Sequence, residues 1–276
     1  MYVFKFLLGL HFIGGVLVPF YLQWGKISFT QIMILQTVFV FSIFLLEIPT
    51  GAVADYCGRK TSLIFGSLSI AVGVFVYSIT PNFYMFLLAE IIWAAGTALM
   101  SGADQALVYD TLKRIKSEKM AKKIFGRLES SELAALTIGA PIGGLIAATM
   151  GLRMPMLLML IPASIAFVLT FFLKEPITKE KIESRRYVTI LVEGVRYFKN
   201  HNILKILSFD MISISVFTFF IIWMYQPRLQ ELGLPLIYFG LIHAAVTGIQ
   251  IPFTHYFGVL ENFFRSKKNY LLGSAI

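Results

Sequence analysis

Long apolar segments recur along the whole of this 276-residue chain, and they constrain its fold more than any other feature. Eight of them reach the roughly 20 residues that an α-helix needs to cross the hydrocarbon core of a bilayer. They cover residues 3–22, 29–50, 61–80, 83–109, 131–150, 152–173, 204–226 and 235–258, and residues 269–276 have the composition of the start of a ninth. Membrane barrel strands would alternate apolar and polar residues, and these segments do not. The sequence therefore predicts an all-α, polytopic helical membrane protein.

The distribution of basic residues predicts how these segments are oriented. The formal net charge of +9 would suit a nucleic-acid-binding protein, but hydrophobic residues make up 57% of the chain and charged residues only 14%. If the N-terminus is cytoplasmic, all of the 24 Lys and Arg residues except Lys26, Arg153 and Arg228 lie on the inner side. The positive-inside rule describes this bias. We therefore expect a multi-pass protein of the cell membrane with a cytoplasmic N-terminus, the lipid bilayer as its surroundings and no nucleic-acid partner.

One long polar stretch, residues 174–203, divides the chain into three predicted regions. Residues 1–173 form an N-terminal bundle of six membrane helices, and residues 204–276 hold two spans and the start of a third. Apolar residues inside the polar stretch are spaced by 3, 1, 3 and 3 positions, which predicts an amphipathic helix along the inner membrane surface. They are Val188, Leu191, Val192, Val195 and Phe198. We favour a cytoplasmic linker helix over an element that binds a partner protein.

A cluster of glycines and charges lies between the second and third segments, in the sequence GAVADYCGRK. Its distinctive residues are Gly51, Asp55, Gly58, Arg59 and Lys60. Glycine allows close approach of helix ends and tight turns. An aspartate can accept hydrogen bonds at a neighbouring helix N-terminus, and an arginine can hold a second carboxylate. The candidate for that carboxylate is Asp110, at the inner end of the fourth segment, with plain solvation as the alternative.

The spacing of this cluster resembles the motif Gly-x-x-x-Asp-x-x-Gly-Arg-Lys of the major facilitator superfamily, in which it joins helices two and three. Every fixed position matches, and the preceding Glu47-Ile-Pro-Thr resembles drug-efflux-like members. The resemblance implies a secondary transporter whose two helical bundles rock around a central site, with this cluster acting as an inner latch between them. The alternative is an ordinary short loop that obeys the positive-inside rule.

A weak internal repeat agrees with this resemblance. Shifted by 207 positions, residues 51–67 lie over residues 258–274, as in transporters built from repeated halves. The family normally has twelve helices, whereas this sequence stops as the ninth begins. We therefore expect a major-facilitator-like six-helix bundle plus two to three helices of the second half. A C-terminally truncated record is the favoured explanation, and a disrupted gene or a half completed by another polypeptide are the alternatives.

The fifth segment contains GAPIGG, residues 139–144. It resembles the antiporter motif Gly-Pro-x-x-Gly-Gly, with Ala140 in place of the first glycine and one residue fewer after Pro141. Proline kinks a helix, and glycines such as Gly143 and Gly144 give it a close-packing face. The resemblance favours an exporter that exchanges its solute for protons. Plain glycine packing between helices is the alternative.

Polar side chains inside the apolar segments are the candidate binding residues, because a charge at the bilayer centre costs at least about 2.5–3.5 kcal/mol. Glu90, Thr97 and Asp104 fall on one face of a continuous helix at about 100° per residue. Glu90 is a candidate proton carrier, with a structural hydrogen bond between helices as the alternative; many family members carry an arginine near this position. Further candidates for coupling or substrate binding are Asp210, His11 and Gln36.

The sequence offers no support for catalysis or for a cofactor. It has no phosphate-binding Gly-x-x-x-x-Gly-Lys-Ser/Thr and no Cys/His spacing that suits zinc. The function predicted from the sequence is proton-coupled efflux of a small solute by alternating access. A solute uptake symporter, a fragment that transports nothing and, more remotely, a membrane-embedded enzyme are the alternatives.

Overall fold

The computed structural model describes residues 1–176 and 185–256, with side chains for residues 1–176 and 192–256. Within these residues, eight helical segments are long and apolar enough to cross a membrane, which confirms the predicted polytopic helical fold. They are numbered here as spans 1 to 8: Tyr2–Trp24, Phe29–Cys57, Arg59–Ile79, Phe83–Arg114, Glu118–Met150, Arg153–Phe172, Asn202–Glu231 and Leu236–His255. The predicted ninth span (269–276) and the second copy of the repeat (258–274) lie outside the described residues.

Local sequence signals explain where spans 2, 3 and 4 begin. Ser28 caps span 2, because its hydroxyl accepts a hydrogen bond from the Gln31 amide (3.2 Å) and the Gln31 side chain accepts one from the Ser28 amide (2.8 Å). The Asn82 side chain caps span 4 by accepting from the Tyr84 amide (2.8 Å). Between spans 2 and 3 the chain turns at Gly58, whose φ of 98° only glycine adopts readily. Spans 2 and 3 are therefore separated by a single residue.

Span 1 is interrupted, contrary to the single regular helix that its composition suggested. An α-helix covers Tyr2–Gly9, and regular structure resumes in a 3₁₀ turn at Gly14–Val16, a short helix at Leu17–Pro19 and a π-helix at Phe20–Trp24. The intervening residues 10–13 lie near the middle of the span. Glycines on both sides and Pro19 weaken the regular helix here, and packing against span 5 favours the irregular backbone.

Span 4 is also interrupted, so the predicted continuous helix over residues 83–109 is wrong in this respect. A helix covers Phe83–Met100, the chain breaks at Gly102 with φ of 74°, and a second helix covers Ala103–Arg114. The regular turn of 100° per residue therefore does not extend from Glu90 to Asp104. The predicted polar stripe ends at the break, and its two acids lie on separate helices.

The described helices fall into two compact units. The first comprises Met1–Pro176 and the chain from Pro235, in which span 4 packs against spans 2 and 3, span 5 against spans 1 and 8, and span 6 against spans 1 and 3. The second comprises Ile177–Leu234 and contains the linker helix, Arg185–Asn200, followed by span 7. Because span 8 packs on span 5, this grouping does not coincide with the predicted limits at 173 and 203. Those domain limits stay a prediction.

Much of the molecular surface is apolar, as a bilayer requires. In span 2, Phe41, Phe44 and Leu45 are all more than half exposed, and only three residues of the 29-residue helix are buried. The core of the first unit instead contains large side chains from spans 1, 3 and 4, among them Phe20, Val74 and Phe86. Apolar side chains outside and aromatic rings inside are expected of a helix bundle solvated by lipid.

Candidate functional site

A cavity of about 190 Å³ lies within the first unit, among spans 1, 2, 3, 4 and 6. Aromatic rings and a few polar groups form its wall. The lining residues are His11, Ile13, Gly14, Leu17, Tyr21, Gln36, Phe39, Tyr77, Glu90, Trp93 and Met156. In the described part of the chain, Glu90 supplies the one carboxyl group on this wall. The structure thus brings together three predicted candidates, Glu90, Gln36 and His11.

Glu90 is 5% exposed and is held by neutral hydrogen-bond donors. The Tyr21 hydroxyl donates to its Oε1 atom (3.2 Å), and the Gln36 side-chain amide donates to the same atom (2.9 Å). Tyr77 also forms a hydrogen bond with this carboxyl group, and its hydroxyl lies 3.0 Å from that of Tyr21. These donors satisfy a buried polar group without neutralising its charge. The position of the Glu90 carboxyl group is therefore fixed by uncharged side chains of spans 1, 2 and 3.

His11 lies at the interruption of span 1, on the same cavity. Its ring meets Trp93 edge to face, with ring centroids 5.7 Å apart. His243 of span 8 lies beside the next turn, since a Cβ atom added at Gly14 would be 3.3 Å from its Nε2 atom. The irregular segment of span 1 thus contains one histidine, His11, and lies beside a second one, His243 of span 8. The sequence proposed His11 as a candidate binding residue, whereas His243 was interpreted as a packing residue.

A second group of charges lies apart from the cavity. Lys5 of span 1 forms ion pairs with Asp104 (2.7 Å) and with Glu132 of span 5 (3.1 Å). The Lys5 and Asp104 side chains are 19% and 10% exposed, so both charges are mostly withdrawn from solvent. Asp104 therefore pairs with a cation and is absent from the cavity lining, where Glu90 lies. Thr97 donates its hydroxyl to the Trp93 carbonyl (3.1 Å), within its own helix.

The charge cluster between spans 2 and 3 contacts the inner helix of span 4. Arg59 donates from Nη1 to the carboxylate of Asp110 and to the carbonyl of Ala106 (2.7 Å). The structure therefore joins the two residues that the sequence proposed as partners. Together with the Lys5–Asp104 pair, this contact attaches the Ala103–Arg114 helix to spans 1 and 3 on the far side of the break at Gly102.

Glu175, at the start of the polar stretch 174–203, completes this cluster. Its carboxylate accepts from the amides of Arg59 (2.6 Å) and Lys60 (3.1 Å) and so caps the N-terminus of span 3. Lys60 in turn donates from Nζ to the carbonyl of Phe171 (2.6 Å) at the end of span 6. The anion at the N-terminus of span 3 is thus Glu175. The Glu175 carboxylate and the Lys60 ammonium group both link the start of span 3 to the end of span 6.

The remaining two residues of the predicted latch, Asp55 and Gly51, both lie on the helix of span 2. Asp55 is exposed on the last turn of span 2, and its side chain forms no hydrogen bond or ion pair with the described side chains of residues 1–176 and 192–256. Gly51 lies inside the same helix, which extends to Cys57, seven residues beyond the predicted end of the segment. The latch function of this cluster stays a prediction, although its inner contacts are defined.

Comparisons with known proteins agree with these features. The sequence matches the profile of the Major Facilitator Superfamily over residues 3–276, which is nearly the whole chain. The chain belongs to the major facilitator superfamily. It is also 23% identical over 203 residues to a protein from Methanocaldococcus jannaschii described as an uncharacterized MFS-type transporter. That alignment covers 72% of this chain and 51% of the relative, so the chain spans about half the length of the curated protein it matches.

In this member of the superfamily, the glycine-rich segment of span 5 packs on two other spans. Gly139 lies against the backbone of His11, and Gly143 lies so close to the Phe12 carbonyl that a Cβ atom would overlap it. Gly144 faces the backbone of span 8 near Gly240. The helix Ala121–Met150 continues through Pro141, and the predicted kink there stays a prediction. These glycines accommodate the irregular part of span 1.

Spans 5 and 8 form an antiparallel seam in which positions recur every seven residues. The hydroxyls of Thr137 and Thr247 lie 3.0 Å apart, and those of Ser130 and Thr254 lie 3.1 Å apart. The Gly144 and Gly240 pair continues the same register towards the other end of the helices. Small residues and hydroxyl pairs are typical of close helix packing in membranes.

The last predicted binding residue, Asp210, lies outside the unit that holds the cavity. Asp210 is exposed on span 7, in the second unit, and its predicted place at a substrate site stays a prediction. Among the described residues, no group of three or more His, Cys, Asp or Glu side chains has a geometry that could hold a metal ion.

Proposed function

We propose that this chain belongs to a proton-coupled exporter of small solutes. It would work by alternating access in the cell membrane, with the N-terminus and the linker in the cytoplasm. Membership of the superfamily supports transport, and the distribution of basic residues supports the orientation.

The observation that carries this proposal is Glu90 on the cavity wall. A carboxylate in a low-dielectric cavity is stabilised by a proton or by a positively charged partner. Tyr21 and Gln36 donate hydrogen bonds but supply no positive charge. Binding of a proton and binding of a solute at this wall would therefore be alternatives, which is the basis of exchange. The cavity volume, about 190 Å³, is below the roughly 300 Å³ of pockets for drug-sized ligands and suits a small solute.

The ion pairs Lys5–Asp104 and Arg59–Asp110 would act as a gate. Asp104 and Asp110 attach the Ala103–Arg114 helix to Lys5 and Arg59, and the break at Gly102 separates this helix from the one that carries Glu90. Rearrangement of the two ion pairs would let the inner helix of span 4 move without displacing the cavity wall. Exposed Asp55 provides a further acidic group for a contact that forms in only one conformation.

The direction of transport rests on a weaker observation. The glycine-rich face of span 5 packs against the irregular segment of span 1. The sequence of this face resembles the antiporter motif, and this resemblance favours export. An uptake symporter is the second candidate, since Glu90 could equally carry a proton together with a solute.

The test compares the chain with its Glu90→Gln variant. A library of small solutes is first screened by the shift in unfolding temperature that each one causes, and the strongest ligand is loaded into vesicles that contain the protein. With protons at higher concentration outside, an exchanger in the corresponding orientation drives solute out faster than without the gradient, whereas a symporter does not. Glu90→Gln should abolish the effect of the gradient.

Glu118→Gln is the matched control, because it makes the same acid-to-amide change at an exposed position at the start of span 5, away from the cavity lining. It should preserve the response to the gradient. Equal gradient dependence in the wild type and Glu90→Gln would contradict the proposed coupling. Solute binding without any flux would instead identify a fragment that does not transport.

A further inference from the structure

The linker helix, Arg185–Asn200, carries its apolar residues on one face. Its apolar positions 188, 191, 192, 195 and 198 fall within an arc of about 120° at 100° per residue. Of these, Val192, Val195 and Phe198 have described side chains, and they are 53%, 55% and 42% exposed. These three described side chains are therefore open to their surroundings. An amphipathic helix that exposes such a face needs an apolar surface to bury it.

Basic positions border this face on one side. Positions 185 and 196, which hold Arg185 and Arg196, lie just beyond one edge of the apolar arc, and Lys199 lies within about 60° of both, inside that same edge next to Val192. The acidic residue Glu193 lies on the other side of the basic flank, away from the apolar arc. Long basic side chains beside an apolar face can reach anionic groups while their stems remain in apolar surroundings.

A very short junction joins the linker helix to span 7. The linker helix ends at Asn200, and span 7 begins at Asn202, so a single residue, His201, separates them. His201 has an extended backbone (φ −112°, ψ 100°), its ring stacks on Tyr197 with centroids 3.7 Å apart, and its Nδ1 atom lies 2.8 Å from the Tyr197 carbonyl oxygen. The junction is therefore short and locally ordered, and the end of the linker helix cannot move far from the end of a membrane span.

We propose that the linker helix binds the anionic lipid surface of the inner leaflet. Its apolar residues enter the acyl-chain boundary, and Arg196 and Lys199 contact lipid phosphates. A neutral surface would satisfy the apolar face alone, whereas the basic flank adds preference for negatively charged headgroups. The proposal goes beyond solute transport and rests only on the cytoplasmic placement of the linker.

The experiment measures the position of Val195 relative to the bilayer in the whole chain. Cys57 is replaced by serine, Val195→Cys is labelled with an environment-sensitive fluorophore, and the protein is placed in nanodiscs of phosphatidylcholine with or without phosphatidylglycerol. Quenchers attached to lipid acyl chains report the inserted fraction, and a water-soluble quencher reports the exposed fraction. Glu193→Cys, on a different face of the same helix, is the matched labelling control.

The expected result is that the Val195 probe inserts and the Glu193 probe does not. The ratio of inserted to exposed probe should be higher with phosphatidylglycerol, and it should fall by about fivefold for each basic residue removed in Arg196→Gln/Lys199→Gln. Lys113→Gln/Lys119→Gln, which removes two exposed charges elsewhere on the inner side, should leave the ratio unchanged.

Three results would overturn the proposal. The first is a probe at 195 that stays exposed to water in both kinds of nanodisc. The second is equal insertion with and without phosphatidylglycerol, which would show an apolar contact with no preference for charge. The third is a probe shielded from water but not reached by lipid-borne quenchers, which would show that protein covers this face.

Discussion

At the scale of single residues, the contacts that glycines make with neighbouring backbone atoms position span 1 as much as the charged groups do. The carbonyl of Phe12, in the irregular part of span 1, lies against Gly143 at a distance that leaves no room for a Cβ atom. Gly139, one turn earlier, faces the backbone of His11 with a hypothetical Cβ at 3.4 Å or more, which is ordinary contact. The two glycines therefore have different reasons to be glycine, although they belong to the same sequence motif.

Gly143→Ala should destabilise the protein, whereas Gly139→Ala should be nearly neutral. Alanine at 143 must push the Phe12 carbonyl aside, and overpacking of this kind costs about 1–3 kcal/mol. Alanine at 139 fits the available space and favours the helix. Thermal unfolding in detergent, followed by helical circular dichroism, measures both variants. Equal unfolding temperatures for the two variants would contradict the tight contact.

Residue types at the cavity were only partly predictable from the sequence. Glu90 and Gln36 stand out because polar side chains are costly in apolar segments. Tyr21 and Tyr77 do not, because tyrosines near the ends of spans are common at membrane interfaces. That these hydroxyls point inwards to Glu90 depends on the packing of spans 1 and 3, which periodicity alone does not specify.

At the scale of helices, ends and interruptions set the geometry of the charged groups. The lengths and number of spans follow from apolar composition, but the break in span 4 does not, since a glycine inside a helix is often tolerated. The break at Gly102 places Asp104 beside Lys5 and Asp110 beside Arg59, and it removes Asp104 from the face of Glu90. The sequence predicted the Arg59–Asp110 pair because both residues lie near the inner ends of their spans.

Glu175→Ala should loosen the first turn of span 3. It removes the acceptor for the amides of Arg59 and Lys60, and loss of a helix cap costs typically about 1 kcal/mol. Hydrogen exchange with mass spectrometry should show faster exchange in peptides that contain residues 59–62. The matched control is Glu118→Ala, at an exposed acid on a short 3₁₀ turn, which should leave these peptides unchanged. Unchanged exchange in Glu175→Ala would show that water satisfies these amides equally well.

At the scale of the whole molecule, the orientation of the spans can be tested with the native cysteine. Cys57 is exposed at the end of span 2, which the proposed topology places inside. A membrane-impermeant maleimide should label it in inverted vesicles and not in intact cells. A Cys57→Ser/Tyr84→Cys variant, with its cysteine at the start of span 4, should show the opposite pattern. Labelling of Cys57 in intact cells would reverse the proposed topology.

The central claim is that Glu90 binds and releases a proton at the cavity wall, and infrared spectroscopy tests it without knowledge of the solute. Difference spectra of the membrane-embedded chain are recorded as the pH is changed, and the band of a protonated carboxyl group is followed. Every Asp and Glu residue of the chain contributes to this band, so we predict that one component is present in the wild type and in Glu118→Gln and is missing in Glu90→Gln. A titrating band that persists unchanged in Glu90→Gln would contradict the claim.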